Sequence, residues 1–198
     1  MINITKKITL LLFVCGAIFT SCSSDDDKKE EQVVIEEPVV EDKTTLKVFS
    51  NVNFSLDAAE GFDSGRYFST ETGKSYKKSQ IDNATLPKID IAFSGSSSSV
   101  NYFMSPNDKE DGIVNGKTTE YINYVKDQFT VSQFAKLEKG EDLDKLTIAD
   151  DENSFPDSAL PLVVLFKNAA GKKGVIYVKS VHRVGSDPRI VADIKIQK

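Results

Sequence analysis

Tryptophan is absent from this sequence, histidine occurs once, and both cysteines fall within the first 22 residues. Each shortage removes a chemistry. A nucleophilic triad needs a histidine or another base, and only His182 is on offer. A thiol nucleophile or a cysteine-based zinc site would have to draw on Cys15 and Cys22 alone. No glycine-rich phosphate loop is present. Acidic residues outnumber basic ones 30 to 25, which disfavours nucleic acid or an anionic membrane surface as the main partner, since both ask for dense Lys and Arg. What remains is a chain of 198 residues, 39% hydrophobic and with 12 phenylalanines, enough for one globular domain plus appendages.

The first appendage is an export signal. Lys6 and Lys7 precede the apolar run "ITLLLFVCGAIF" at 8–19. Twelve residues make about 18 Å of helix, short of the roughly 30 Å hydrocarbon core, so the run reads as a removable signal peptide over 1–21. Thr20 and Ser21 then lead into Cys22. The arrangement resembles the lipobox of bacterial lipoproteins, in which the signal is cut just before the cysteine and the thiol carries diacylglycerol. The family prefers leucine three positions before the cysteine, where this chain has Phe19. Relaxed boxes ending in Ser-Cys are common in Bacteroidota. The competing reading puts Cys22 in a disulfide, but its one partner, Cys15, lies within the signal. The resemblance implies an outer-membrane lipid anchor through acylated Cys22. Two or more chains, at about 0.8 kcal/mol per buried methylene, hold far more firmly than one.

Directly after the anchor stands "SSDDDKKEE". The block is similar to the acidic signal that sends Bacteroidota lipoproteins to the outer face of the outer membrane, with Asp25, Asp26 and Asp27 as its centre. The plainer reading is a solvated tether whose like charges keep it extended, and both can hold together. Removing the two signal lysines takes the formal charge from −5 to −7. From Cys22 to about Thr44 the chain is acidic, lacks a helical or strand period and is interrupted by Pro38, so 22–44 reads as a tether of up to about 70 Å.

From Thr45 to Lys198 the pattern becomes that of a single domain. In "LKVFSNVNFSL" the even positions Leu46, Val48, Val52, Phe54 and Leu56 are apolar, the period of a half-buried strand. Residues 66–78 read as a hairpin turning at Glu71 to Lys74. In "KIDIAFSG" (88–95), Ile89, Ile91 and Phe93 point inward and Asp90 falls on the other face. "YFM" (102–104) is a short strand. The run 118–129 admits a helix or an irregular strand. Thr130 and Gln133 form a capping box opening a helix over 130–140, with Phe134 and Leu137 inward and Gly140 at its end. A second short helix is expected over 141–149, then an acidic loop over 150–158. The last third supplies "PLVVLFKN", the turn "AAGKKG", "VIYVKSVHRV" and "RIVADIKIQK", the last with Ile190, Ala192, Ile194 and Ile196 inward. Strands, a short helical insertion and more strands predict an α+β domain built mainly on antiparallel sheet.

"YFSTETGK", "IDIAFSG" with "SPND", "FKNAAGKKGVIYVKSV" and the terminal "DIKIQK" together resemble small Bacteroidota surface lipoproteins over about 46–198. The resemblance is one of pattern and transfers no activity. Some lipoproteins of that group are haemophores with axial His or Met pairs. Here His182 and Met104 are the one such pair after cleavage, and two isolated residues make no motif. His182, sharing a strand face with Ile176 and Val178, reads as a structural histidine, and Met104 as core.

Carboxylates are plentiful. "NDKEDG" (107–112) brings Asp108 and Glu110, and "DDENSFPD" (150–157) brings Asp150, Asp151 and Glu152, hard oxygen ligands of the kind calcium takes. Neither has EF-hand spacing, and solvated loops are the plainer reading. "DSA" (157–159) is similar to the short Bacteroidota O-glycosylation motif, with Ser158 as acceptor. Two function classes follow: a non-enzymatic surface module for a protein or glycan partner, and a small enzyme using paired carboxylates. The missing triad, thiol and phosphate loop favour the first. Neither a cofactor nor a catalytic residue is expected.

Overall fold

The computed structural model describes residues 45–56, 65–95, 99–125, 127–151, 153–185 and 187–198. The signal, Cys22 and Asp25 to Asp27 therefore lie outside the described residues, as does Glu152. From Thr45 onward the chain builds two five-stranded antiparallel sheets. The first has the order β1 (Leu46–Ser55), β10 (Arg189–Gln197), β9 (Lys173–His182), β8 (Leu162–Lys167), β6 (Glu120–Ile122). The second runs β3 (Lys74–Tyr76), β2 (Tyr67–Ser69), β4 (Ile91–Gly95), β5 (Val100–Met104), β7 (Phe155–Pro156). The expected mainly antiparallel α+β class holds, and its architecture is a sandwich.

Between the sheets lies one apolar layer. β10 contributes Ile190, Ala192, Ile194 and Ile196, and β8 contributes Val164 and Phe166. From the second sheet come Phe68, Ile91, Phe93 and Phe103, and β1 adds Phe54, whose ring packs edge-on to Phe103 at 5.2 Å. Strict alternation along β10 is what a strand with one face on such a core and the other partly exposed requires. The six residues Ile91, Phe93, Val164, Phe166, Ile194 and Ile196 are all buried, so the predicted strand phases stand.

The outer face of the first sheet is covered as well. Val163, Leu165 and Val175 turn away from the inter-sheet core and meet Phe134, Leu137, Leu143, Leu146 and Ile148. Phe134 and Leu137 belong to α1 (Val131–Lys136) and its C-cap. Its capping box is made as expected, Gln133 N–H donating to Thr130 Oγ1 at 3.2 Å and Thr130 N–H to Gln133 Oε1 at 2.8 Å. Lys195 on β10 donates to the carbonyls of Phe134 (2.9 Å) and Leu137 (2.8 Å), tying the helix end to the sheet.

Several expectations are corrected. The helix stops at Lys136, not at Gly140, which instead opens a 3-10 turn over Gly140–Leu143. The second helix over 141–149 is reduced to that turn, because Leu143, Leu146 and Ile148 bury as an extended cover over the sheet. Of the two readings of 118–129, helix or irregular strand, the strand is the one found: Glu120 to Ile122 pair with β8 before the chain departs. The acidic loop at 150–158 includes the two-residue strand β7 and a 3-10 turn over Asp157–Ala159.

Two bulges rewrite the phase of two strands. In β1 the pairing jumps between Phe49 and Val52, which oppose Ile194 and Ala192. One residue is extra, so Phe49 joins Val52 on the inner face and Val48 is left 55% exposed, against its expected burial. In β9 the pairing jumps from Val178 to Ser180. Val181 then faces the core in place of its neighbours, and His182 is exposed, not on the face of Ile176 and Val178. Ile89 precedes β4 and packs with Tyr67, Ala92 and Met104 outside the second sheet, not with Ile91 and Phe93.

Candidate functional site

β1 and β3 are the edge strands on one side of the sandwich, one from each sheet. β1 is clipped to the β2–β3 hairpin at two points: Ser75 Oγ donates to the Asn53 carbonyl (3.2 Å), and Lys47 Nζ to the Thr70 carbonyl (3.3 Å). Between the clips opens a cleft of about 500 Å³, within the range of small-ligand sites. Its β1 wall is the bulge itself, running from Phe49 through Ser50 and Asn51 to Asn53; its other wall is Phe68 and the hairpin residues Gly73, Lys74 and Ser75.

The bulge is held in a defined shape. Asn51 has φ 56°, the left-handed region that asparagine tolerates better than most residues. Its N–H donates to Asp193 Oδ1 at 2.7 Å, and its side-chain carbonyl accepts from Lys179 Nζ at 2.6 Å. Lys179, the extra residue of the β9 bulge, also pairs with Asp193 at 2.7 Å. Two bulges flanking β10 are thus locked by one carboxylate and one ammonium. Phe49 stacks edge-on against Phe68 (5.2 Å, 79°), and Phe68 is buried. The half-buried Phe49 ring therefore forms the open part of the floor.

Elsewhere polar side chains sew the sheets together. Asp90 is 5% exposed and accepts from Thr70 N–H (2.9 Å), from the Thr70 hydroxyl and from Asn168 Nδ2 (3.2 Å). Burial pushes its carboxyl above the usual carboxylate range, and those hydrogen bonds hold back only part of the rise. The Asp90 carbonyl accepts from Thr119 Oγ1 at 2.7 Å. Just past β6, the Asn123 amide grips Phe103 as a strand would, accepting from its N–H (2.7 Å) and donating to its carbonyl (2.8 Å).

The residues singled out from sequence fall in separate places. Asp151 binds backbone, accepting from the N–H groups of Asn123 and Tyr124 (3.2 Å each) and of Asn153 (3.0 Å). Burial pushes its pKa up, but those bonds outweigh it and leave it low. Asp150 is exposed beside it. Asp108 folds its own loop, accepting from the N–H groups of Glu110 and Asp111. Among the described residues no three His, Cys, Asp or Glu side chains gather to hold a metal ion. Ser158 is exposed on its turn, while Asp157 is bound by Arg183 through Nε and through Nη2 (2.7 Å), and by Asn101 Nδ2 (2.8 Å). The Arg183 hydrogen bond above all lowers the Asp157 pKa. Met104 is buried outside the second sheet and His182 is exposed on the first, so the pair is not brought together.

Sequence reasoning missed the cleft. Its signal was the polar pair Ser50-Asn51 inside a phased strand, which an unbroken even-position count absorbs. It also missed Asp90, a polar residue on the face away from Ile91 and Phe93 that the structure nevertheless buries. The fold and its edge cleft define a two-sheet antiparallel sandwich with a polar, phenyl-floored groove. No family model, curated protein or solved structure matches the chain.

Proposed function

We propose that this chain is an outer-membrane lipoprotein, anchored by acylated Cys22 and displayed at the cell surface, whose sandwich acts as a non-enzymatic binding module for a protein or glycan partner. The chemistry of the edge cleft carries the binding half of the reading. Its lining offers hydroxyls, amides, one ammonium and phenyl rings, with no carboxylate or imidazole. Such a set holds a ligand but has no group suited to relay a proton near neutral pH. The acidic carboxylates that a hydrolytic reading would use are engaged elsewhere, Asp157 with Arg183, Asp193 with Lys179, and Asp151 with backbone N–H groups. The lipobox-like run ending at Cys22 and the acidic block after it support the location.

Cys22→Ala tests the anchor. The variant is expected to leave the membrane fraction and to take up no fatty-acid probe; continued membrane attachment would overturn the lipoprotein reading.

A further inference from the structure

We propose that the cleft between β1 and the β2–β3 hairpin binds an uncharged oligosaccharide, hydrogen-bonded by side-chain amides and hydroxyls over the Phe49 ring; this rests on the reading of the domain as a binding module. Three polar side chains in the lining, those of Ser50, Asn53 and Lys74, have no hydrogen-bond or ionic partner among the described residues, although they come from two different sheets. Asn51 adds an amide whose carbonyl is taken by Lys179, which fixes its position and leaves its NH₂ group without a partner among the described residues. Hydroxyl and amide groups donate and accept at one side chain, which matches the dual character of a sugar hydroxyl. With no carboxylate in the lining a cation is not what the cleft selects, and its polar groups, Ser50, Asn51, Asn53 and Ser75, are neutral apart from the Lys74 ammonium.

The floor points the same way. A sugar ring presents a C–H face, and the Phe49 ring is the aromatic surface left open to meet it, Phe68 behind it being buried. Gly73 keeps that ring uncovered: a Cβ there would sit 3.2 Å from Phe49 Cε1, and its φ of +68° suits glycine. An extended peptide is the weaker fit. Strand addition needs an uninterrupted edge; here the bulge breaks the repeat of β1, and the Asn53 carbonyl is already taken by Ser75.

The full-length chain in detergent is titrated calorimetrically with maltotriose, cellotriose and mannotriose, with trigalacturonic acid as the charged comparison and an uncharged Thr-Val hexapeptide as the extended one. Saturable binding of at least one neutral trisaccharide is expected, weakened about tenfold or more by Ser50→Ala and by Asn53→Ala. Thermal melts check that each variant stays folded; Ser50 is exposed, so its hydroxyl can be removed without opening the core. No binding by any neutral trisaccharide, a preference for the acid, or affinity untouched by both substitutions overturns the proposal. Peptide binding lost in the same variants would overturn the sugar while leaving the binding-module reading intact.

Discussion

At the scale of single residues, two aspartates show how environment sets opposite pH behaviour within one sandwich. Asp90 is buried with no ion pair among the described residues, and burial raises its pKa. The fold therefore favours its protonated form: its contribution is fully present below the unfolded pKa and is lost as pH rises through the raised folded value. Asp157 is the reverse, its pKa lowered first by the Arg183 hydrogen bond. Its contribution is present above the unfolded pKa and is lost as pH falls through the lowered folded value. Urea denaturation of Asp90→Asn and Asp157→Asn across the acidic range separates them. Relative to the parent, Asp90→Asn should fare better as pH rises, and Asp157→Asn better as pH falls. Two parallel pH profiles would mean that neither carboxylate is tuned as described.

At the scale of elements, the legible part of the sequence was whatever repeated without interruption. β10 could be read directly, because Ile190, Ala192, Ile194 and Ile196 keep one phase to the end. The opening of α1 was equally plain, since a capping box is a local contact between Thr130 and Gln133. β1 and β9 were misread for one physical reason. A bulge adds a residue and reverses which face later side chains occupy, and an even-numbered apolar count cannot see it when Val48 and Phe49 are adjacent. The positive φ of Asn51 makes the β1 bulge testable. Asn51→Val places a β-branched residue in the left-handed region and should cost about 1–3 kcal/mol. Asn51→Gly relieves the backbone while losing the Lys179 bond, and should cost less. The comparison is read from urea midpoints; equal losses would show that the side-chain bond, not the backbone, fixes the bulge. Core geometry has its own check, as Ile194→Ala removes a fully buried side chain and should cost about 2–5 kcal/mol.

At the scale of the whole molecule, the acidic block and the sandwich make separate claims that can be tested apart. Asp25, Asp26 and Asp27 stand well before Leu46, where β1 begins, so a change of charge there should leave the stability of the sandwich unaltered. If the block is an export address, replacing all three by alanine keeps the chain acylated at Cys22 but leaves it facing the periplasm. Protease shaving of intact cells reads the difference, with fatty-acid labelling run alongside. The parent should be cut and the triple variant protected, both carrying the label. Equal cleavage with label intact would reduce the aspartates to a solvated tether, and the cleft at the β1 edge would then owe its access to the outside to some other signal. Loss of label in the variant would place the same residues in recognition of the acylation site instead. Protection with retained label is the outcome the address requires, because only then do the charges act after the lipid is attached and before the sandwich meets its ligand.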